Sequence, residues 1–391
     1  MWVTMESDLF TGSEAPYTPS EVNLSALLEV WKFVGPGYEK LCRVSGPYST
    51  TTKQIDFDIS RIFDRNISLP SAASIGVSPG TPYSGEAVGL VEVYQLLYSD
   101  QYGDPVAGDD FTTSDDLLAI NGGLPADALQ DINWAGTLIP LHSYYYKRND
   151  AFIFYKPVSP QQPDWIYFVS LVTDNIIVKV TIQYDDGTTD LFTSHTIAVE
   201  ANKAYWTQSG HDQLKITDNA DADKTVAGYQ VSLIRESTEQ NAYTQFYLVD
   251  DVCTLQDLYL LYHNGFGGYE SVRMKGATKY THRVSREKFV RTKWKDFSTD
   301  IGNIEQIRVQ GNRVYNTHIG HYPAHYIEHL RQMLHGNLWM IDLDLTVLAS
   351  YRFLRIMCET DSVDLRTDEP GPDGFSISYS PAWEDDGYNV F

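Results

Sequence analysis

The stretch Ile176–Val199, IIVKVTIQYDDGTTDLFTSHTIAV, carries the clearest structural signal in this 391-residue chain. Apolar and polar residues alternate from Ile176 to Tyr184, and this period of two is typical of a strand that buries one face. Asp185-Asp186-Gly187 follows, and Asp and Gly tolerate the positive φ angles that a tight hairpin turn needs. Residues Thr188–Val199 are then the return strand of a predicted β-hairpin.

Similar alternating runs, separated by clusters of turn residues, occur along most of the chain. They predict a mostly β protein with two or three β-sandwich-like domains, since regularly spaced strands with intervening turns favour antiparallel sandwiches. One C-terminal helix is expected at 324–335, packed on a sheet, with Pro323 at its start and Gly336 after its end. The predicted divisions are an N-terminal arm (1–23), a first β domain (24–150), a β-sandwich domain (151–250) and a C-terminal β domain with the helix and an acidic tail (251–391).

Composition limits the classes of function. Hydrophobic residues make up 42% of the chain and charged residues 21%, which is typical of a folded globular protein. The net charge of −23 argues against nucleic-acid binding by the chain as a whole. Residues Met1–Gly12 lack the basic and apolar regions of a signal peptide, and no run of 18 apolar residues occurs. We therefore expect synthesis in a reducing cytosol and no membrane partner.

Sequence motifs for catalysis and metal binding are missing. The chain contains no GxSxG, HExxH or Walker motif. The cysteines Cys42, Cys253 and Cys358 match no zinc-ligand spacing. The acidic run Asp218–Asp223 fails as a calcium loop, because Lys224 stands where the loop needs glycine. We predict that the protein is not an enzyme and has no cofactor and no metal ion.

Histidines cluster near the predicted helix. Five of the ten lie within 18 residues, at His318, His321, His325, His329 and His335. On the helix His325 and His329 are four residues apart and share a face, and His321 extends the same line. The core stripe is expected on the opposite side, at Tyr326, Ile327, Leu330, Met333 and Leu334. The row then faces outward, as a metal site, a pH-sensitive or polar interface, or a plain solvated face.

Basic residues are concentrated in one segment. Between Arg273 and Lys295 there are nine basic residues and one acid, a net charge of +8 that leaves −31 for the rest of the chain. Three interpretations are open: a solvated strand pair, a surface that docks on acidic surface of a neighbouring copy, and a nucleic-acid site such as one facing DNA in a channel. The candidate interface residues are His321, His325, His329, Arg283, Arg286, Lys288, Arg291, Lys293 and Lys295.

Three stretches of the chain carry a family resemblance. They are IDFDISRIFD (Ile55–Asp64), LYLLYHNGFGGYESVRMKG (Leu258–Gly276) and HYIEHLRQMLHGNLWMIDLDLTVLASYRFLRI (His325–Ile356). Together with the middle hairpin VKVTIQYDDGTT, they resemble the β-rich tail and baseplate-type structural proteins of phages and prophages of Bacteroidetes bacteria. The histidine row and the segment 104–131 have no counterpart in this resemblance, which implies no catalytic residues.

The resemblance implies a structural component of a tailed bacteriophage virion, in the tail, baseplate or neck. Such a protein is assembled in the host bacterial cytoplasm, and its partners are other copies of itself and other virion proteins. The alternative is a module that binds carbohydrate or a host receptor, with Tyr144-Tyr145-Tyr146 or Trp165 stacking on a surface glycan. A third class is a polysaccharide-degrading tail enzyme, although the spacing of the 52 acidic residues selects no catalytic pair.

Overall fold

The computed structural model describes residues 2–6, 25–48, 54–63, 84–102, 107–108, 111–120, 136–141, 155–250, 258–290, 304–322, 324–343, 351–360, 374–382 and 388–389. Most of these residues lie in strands, and the sheets are almost entirely antiparallel. The prediction of a mostly β protein is confirmed.

The described residues form 25 strands and three short helices. The first strands are Trp2–Glu6 (β1), Ser25–Val34 (β2), Gly37–Pro47 (β3), Gln54–Asp58 (β4), Ser84–Glu86 (β5), Val91–Tyr102 (β6), Ala107–Gly108 (β7), Thr112–Thr113 (β8), Leu117–Ile120 (β9) and Leu138–Pro140 (β10). The next are Tyr155–Val158 (β11), Trp165–Ser170 (β12), Asp174–Tyr184 (β13), Thr189–Val199 (β14), Lys203–Gln208 (β15), Val226–Arg235 (β16) and Asn241–Val249 (β17). The last are Leu258–His263 (β18), Tyr269–Met274 (β19), Thr278–Val290 (β20), Ile304–His318 (β21), Leu338–Leu343 (β22), Tyr351–Cys358 (β23), Ser376–Pro381 (β24) and Tyr388–Asn389 (β25). The helices are Ser60–Phe63 (α1), Ile216–Asn219 (α2) and Ala324–Leu330 (α3), and a 3₁₀ turn at Arg331–Leu334 follows α3.

The predicted hairpin is the pair β13 and β14, at one side of a five-stranded sheet. The strand order in this sheet is β11-β17-β16-β13-β14, and only β11 and β17 pair in parallel. The apolar residues of the alternating pattern form the buried face of β13, since the side chains of Ile176, Val178, Val180 and Ile182 are fully buried. The hairpin prediction is confirmed.

Strand β12, with the sequence WIYFVS, is buried on both faces. It belongs to a four-stranded sheet with the order β10-β12-β15-β5. Ile166 and Phe168 pack against the five-stranded sheet, whereas Trp165, Tyr167 and Val169 pack in the opposite direction, against an eight-stranded sheet. The four-stranded sheet is therefore a middle layer, which explains why β12 has no polar face.

The eight-stranded sheet has the order β19-β18-β22-β23-β24-β21-β20, with β25 paired to β21. Tyr259 and Leu261 of β18 contact the middle layer, while Leu260 and Tyr262 lie on the other face, in the same cluster as Tyr326 of α3. The helical segment ends at Leu334, close to the predicted end. A Cβ on Gly336 would lie 2.6 Å from the His263 carbonyl oxygen, so only glycine fits where the chain turns back to β22.

The N-terminal strands form a further sheet with its own core. Its order is β3-β2-β6-β7, with β8 and β9 also paired to β6. Leu28 and Tyr94 pack there against Phe57 and Phe63, which belong to β4 and α1. Strand β1 pairs with β4, so part of the predicted N-terminal arm, 1–23, is a strand within the same chain.

Residues on both sides of the predicted divisions at 150 and 250 share one hydrophobic cluster. Leu90, Tyr167 and Tyr259 come from the three predicted β domains and lie in that cluster together. The divisions themselves stay predictions, but they do not separate independent cores.

Replacing Phe168 by Ala should lower the free energy of unfolding by about 3–5 kcal/mol, because it empties a fully buried site in the middle layer. Leu191→Ala is the control: Leu191 is 66% exposed on β14, and its truncation should cost less than about 0.5 kcal/mol. Urea titration followed by circular dichroism measures both. Equal midpoints for the two variants would contradict the central position of β12.

Candidate functional site

Strands β20 and β21 form a long hairpin, which we call the arm (residues 278–290 and 304–318). Thirteen residue pairs join the strands, from Thr278 with Thr317 to Val290 with Ile304. Strand pairing joins the arm to the rest of the described sheet at β24, along Tyr315–His318, and at the two-residue strand β25. Among the described strands, none pairs with the outer edge of β20. The arm is thus a two-stranded ribbon held mainly at its base.

Strand β20 of the arm is open on both faces. Every described side chain of β20 is exposed, although a strand on a sheet normally buries alternate residues. Large apolar side chains are among them: Phe289 is 51% exposed, Val290 62% and Ile304 58%. Tyr280 is also half exposed, and its ring contacts Tyr315 at the base of the arm. An uncovered edge strand with exposed apolar residues is typical of a surface that binds protein.

The arm carries part of the predicted basic stripe. Arg283, Arg286 and Lys288 are exposed on β20. Of these, Arg283 makes an ion pair with the partly buried Glu359 at 3.5 Å, and such an ion pair at the surface contributes little in water. The remaining predicted basic interface residues, Arg291, Lys293 and Lys295, lie outside the described residues.

The predicted basic stripe begins at Arg273, but its first residues do not belong to the exposed surface. Arg273 is 5% exposed and donates a hydrogen bond from Nη1 to the Asp250 carbonyl oxygen at 3.1 Å. The Lys275 ammonium pairs with the Asp250 carboxylate and lies over the ring of Tyr322. These two cations are used inside the protein, and the exposed stripe begins on the arm.

The prediction that His329 faces outward with the histidine row is wrong. His329 is 5% exposed, and its Nε2 lies 2.9 Å from Glu270 Oε2 and 3.0 Å from the Tyr262 hydroxyl. The physical reason is that the core stripe of α3 is wider than the apolar residues alone indicate, because β19 presents a buried carboxylate that His329 satisfies. His321 is exposed, as expected, and the side chain of His325 lies outside the described residues.

Glu270 belongs to a group of charged residues inside the protein. Lys156 of β11, Asp164 just before β12 and Glu270 of β19 are all fully buried. Lys156 Nζ lies 2.7 Å from Asp164 Oδ1 and 3.6 Å from Glu270 Oε2. This buried charge network therefore joins the five-stranded sheet, the middle layer and the eight-stranded sheet.

Neighbouring donors satisfy both carboxyl groups of the network. Glu270 Oε1 accepts from Asn264 Nδ2 at 2.7 Å, and Oε2 accepts from the Tyr262 hydroxyl at 3.1 Å. Asp164 Oδ1 accepts from the Ser271 amide at 3.2 Å, and Oδ2 accepts from the Tyr247 hydroxyl at 3.1 Å. Such saturation is what makes buried charge tolerable.

Electrostatics in the network are governed by burial. Burial raises the pKa of the Asp164 carboxyl, and the adjacent Lys156 ammonium acts in the opposite direction. Burial also raises the pKa values of Tyr247 and Tyr262 well above their usual range, so both phenols stay protonated and donate hydrogen bonds. The network holds an amine, two carboxyls and an imidazole within contact distance and away from water, an arrangement that allows proton transfer between them.

Sequence reasoning missed this network. Lys156, Asp164 and Glu270 match no motif. They are 8 and 106 residues apart, and these separations do not indicate that the side chains meet. A signal was nevertheless present, because Lys156 interrupts the apolar run from Phe152 to Val158. A single charge in such a run indicates a buried cation that needs a carboxylate partner.

The aromatic residues predicted to stack on sugars do not form a binding surface among the described residues. Trp165 is fully buried between the middle layer and the eight-stranded sheet, so its predicted role as a stacking platform is wrong. Residues Tyr144-Tyr145-Tyr146 lie outside the described residues. An open groove of about 780 Å³ runs between β5 and the ends of β13 and β14, and its one aromatic lining residue, Tyr205, is buried.

No family model matches the chain, and no curated protein matches it. Within the described residues no helix is long and apolar enough to cross a membrane. The same residues contain no group of three or more His, Cys, Asp or Glu side chains arranged to hold a metal ion. Cys42 and Cys358 are half-buried free thiols, and Cys253 is not among the described residues.

His329→Ala should lower the free energy of unfolding by about 1–3 kcal/mol, because Glu270 and Tyr262 then lose a buried hydrogen-bond partner. The matched control is His321→Ala, which removes an exposed imidazole and should change stability by less than about 0.5 kcal/mol. Thermal unfolding of both variants at neutral pH distinguishes them. Similar losses at the two positions would contradict the separation of the histidine row into a buried and an exposed member.

Proposed function

We propose that this protein is a structural component of a tailed bacteriophage virion, in the tail, baseplate or neck, and that it acts by oligomeric assembly. Its sheets serve in this proposal as two or three β-sandwich-like domains, with α3 packed on the last sheet, that carry the arm. The observation on which the proposal rests is the arm itself, a ribbon whose outer edge pairs with no described strand and whose described β20 side chains are exposed, apolar ones included. Virion localisation and assembly in the host bacterial cytoplasm belong to the same proposal.

The exposed apolar side chains of the arm favour association with a partner. Phe289, Val290 and Ile304 are each more than half exposed in the single chain. Covering apolar surface contributes roughly 25 cal/mol per Å², so a partner that covers these side chains gains a favourable term that the isolated chain lacks. An uncovered β edge adds backbone donors and acceptors that a partner strand or loop can pair.

Charge favours a second copy of the same chain as the partner. Arg283, Arg286 and Lys288 make the arm basic, whereas the chain as a whole carries −23. A basic surface that meets an acidic surface elsewhere on an identical subunit makes a head-to-tail contact, and repetition of that contact gives a ring when the rotation between subunits closes.

The structure offers an acidic surface of suitable exposure, which we call the acidic turn. It contains the exposed residues Asp185, Asp186, Asp221 and Asp223, at one end of the five-stranded sheet. The turn between β13 and β14 meets the loop before β16 there, and the Asp221 amide donates to the Tyr184 hydroxyl at 2.8 Å. Lys224 pairs with Asp186 at 3.3 Å, which leaves the turn with a net negative charge. In the proposed ring the arm of one subunit lies against the acidic turn of the next.

Arg286→Glu should weaken self-association by about tenfold or more, since a favourable charge contact becomes a repulsive one worth at least about 1.4 kcal/mol. Arg61→Glu is the matched control, because Arg61 is an exposed arginine on α1, a helix that packs with the N-terminal strands and is far from the arm in sequence. Mass photometry across a concentration series measures the oligomer distribution of each variant.

The pairing of surfaces has its own control. A double variant with Asp185→Arg and Asp223→Arg reverses the charge of the acidic turn and should weaken self-association. A quadruple variant that adds Arg283→Glu and Arg286→Glu also reverses the charge of the arm, and it should restore self-association. Restoration identifies the acidic turn as the acceptor. A wild-type chain that stays monomeric at high concentration and does not associate with virions would contradict the proposed function.

A further inference from the structure

The Lys156–Asp164 pair combines close contact with complete burial. The amine nitrogen and carboxyl oxygen are 2.7 Å apart, and neither side chain is exposed. Elsewhere in the chain, Lys40 Nζ lies 2.7 Å from Glu29 Oε1, but Lys40 is 39% exposed. The two pairs thus share a distance and differ in their access to water.

Burial changes what such a pair can do. In water an ammonium and a carboxylate are stabilised as ions, and amide formation is opposed by an excess of water. In a dry site the charged forms are costly and the neutral amine and carboxyl become accessible. Burial raises the pKa of Asp164 in this direction. Tyr247 and Tyr262, which donate hydrogen bonds to Asp164 and Glu270, are both fully buried.

We propose that Lys156 and Asp164 condense into an intramolecular amide crosslink, with Glu270 as the catalytic proton carrier. The Lys156 nitrogen attacks Cγ of Asp164, a C–N bond forms, and one C–O bond of the carboxyl breaks. Two protons leave the nitrogen and both end on the departing oxygen, so that an ammonium and a carboxylate give one amide and one water. Glu270 carries the protons in turn and is itself unchanged.

The geometry around the pair suits this step. Glu270 Oε2 is 3.6 Å from Lys156 Nζ, close enough to accept its proton with a small movement. Asn264 and Tyr262 hold the Glu270 carboxyl in place through hydrogen bonds of 2.7 Å and 3.1 Å. The Ser271 amide and the Tyr247 hydroxyl donate to the two Asp164 oxygens, where negative charge develops in the tetrahedral intermediate.

The product would be a covalent tie between two layers. Lys156 lies on β11 of the five-stranded sheet, and Asp164 directly precedes β12 of the middle layer. The amide closes a ring through residues 156–164, which restricts the unfolded chain as a disulfide does and needs no oxidising compartment. The crosslink does not depend on the proposed virion role, and it can be present or absent whatever the oligomeric state.

Mass spectrometry of the full-length wild-type protein tests the crosslink directly. The intact mass should be lower than the sequence mass by one water. Trypsin should release the peptide from Asn149 to Lys179 as one piece, since Lys156 precedes proline, and this peptide should carry the loss. Its fragment spectrum should lack backbone cleavages within 157–163, because a ring must break twice to release a fragment. The peptides that contain Lys40 and Glu29 should have unmodified masses.

Two variants define the chemistry. Asp164→Ala and Glu270→Gln should both show the full sequence mass, the first because the electrophile is gone and the second because the proton carrier is gone. Loss of water from Glu270→Gln would overturn the role of Glu270. A full mass for folded wild-type protein, with a complete fragment series through 157–163, would overturn the crosslink itself and does not require any variant to fold.

Discussion

The burial of Lys156, Asp164 and Glu270 is the constraint on which the arrangement of the layers depends. Each residue comes from a different strand or strand end, and the three are within contact distance only when the five-stranded sheet, the middle layer and the eight-stranded sheet are correctly placed. Removing Lys156 would leave two buried carboxylates without their cation, and an uncompensated buried charge typically costs about 3–5 kcal/mol. The network therefore fixes the position of the sheets relative to one another. Apolar side chains tolerate sliding of one sheet over another, whereas sliding would separate buried charges from their partners.

The hydrophobic layers are built around the same point. Strand β12 begins one residue after Asp164 and buries side chains on both faces, so it contributes to the clusters on either side of the middle layer. β19 carries Glu270 and lies at the edge of the eight-stranded sheet, where His329 of α3 reaches it. The arm differs, because its exposed residues Phe289, Val290 and Ile304 pack in none of these cores. A chain that satisfies its buried charges so completely yet leaves Phe289 and Val290 uncovered is suited to a partner.

Local pattern predicted the strands well and the long-range contacts poorly. The alternation from Ile176 to Tyr184 depends only on one face being buried, so it could be recognised from the sequence. The doubly buried β12 and the parallel pairing of β11 with β17 depend on other parts of the chain and leave no periodic signal. His329 was misplaced for the same reason, because a helical projection contains no information about Glu270, 59 residues earlier. The basic stripe was recognised as a segment, but its division into buried Arg273 and exposed Arg283 follows from where the arm leaves the sheet.

Electron cryo-microscopy of the self-assembled protein shows whether the arm is an assembly element. Density for residues 278–290 and 304–318 should lie against the acidic turn of an adjacent subunit, with Phe289 and Val290 covered. An assembly in which the arm points into solvent and the subunits meet through other surfaces would contradict this role of the arm.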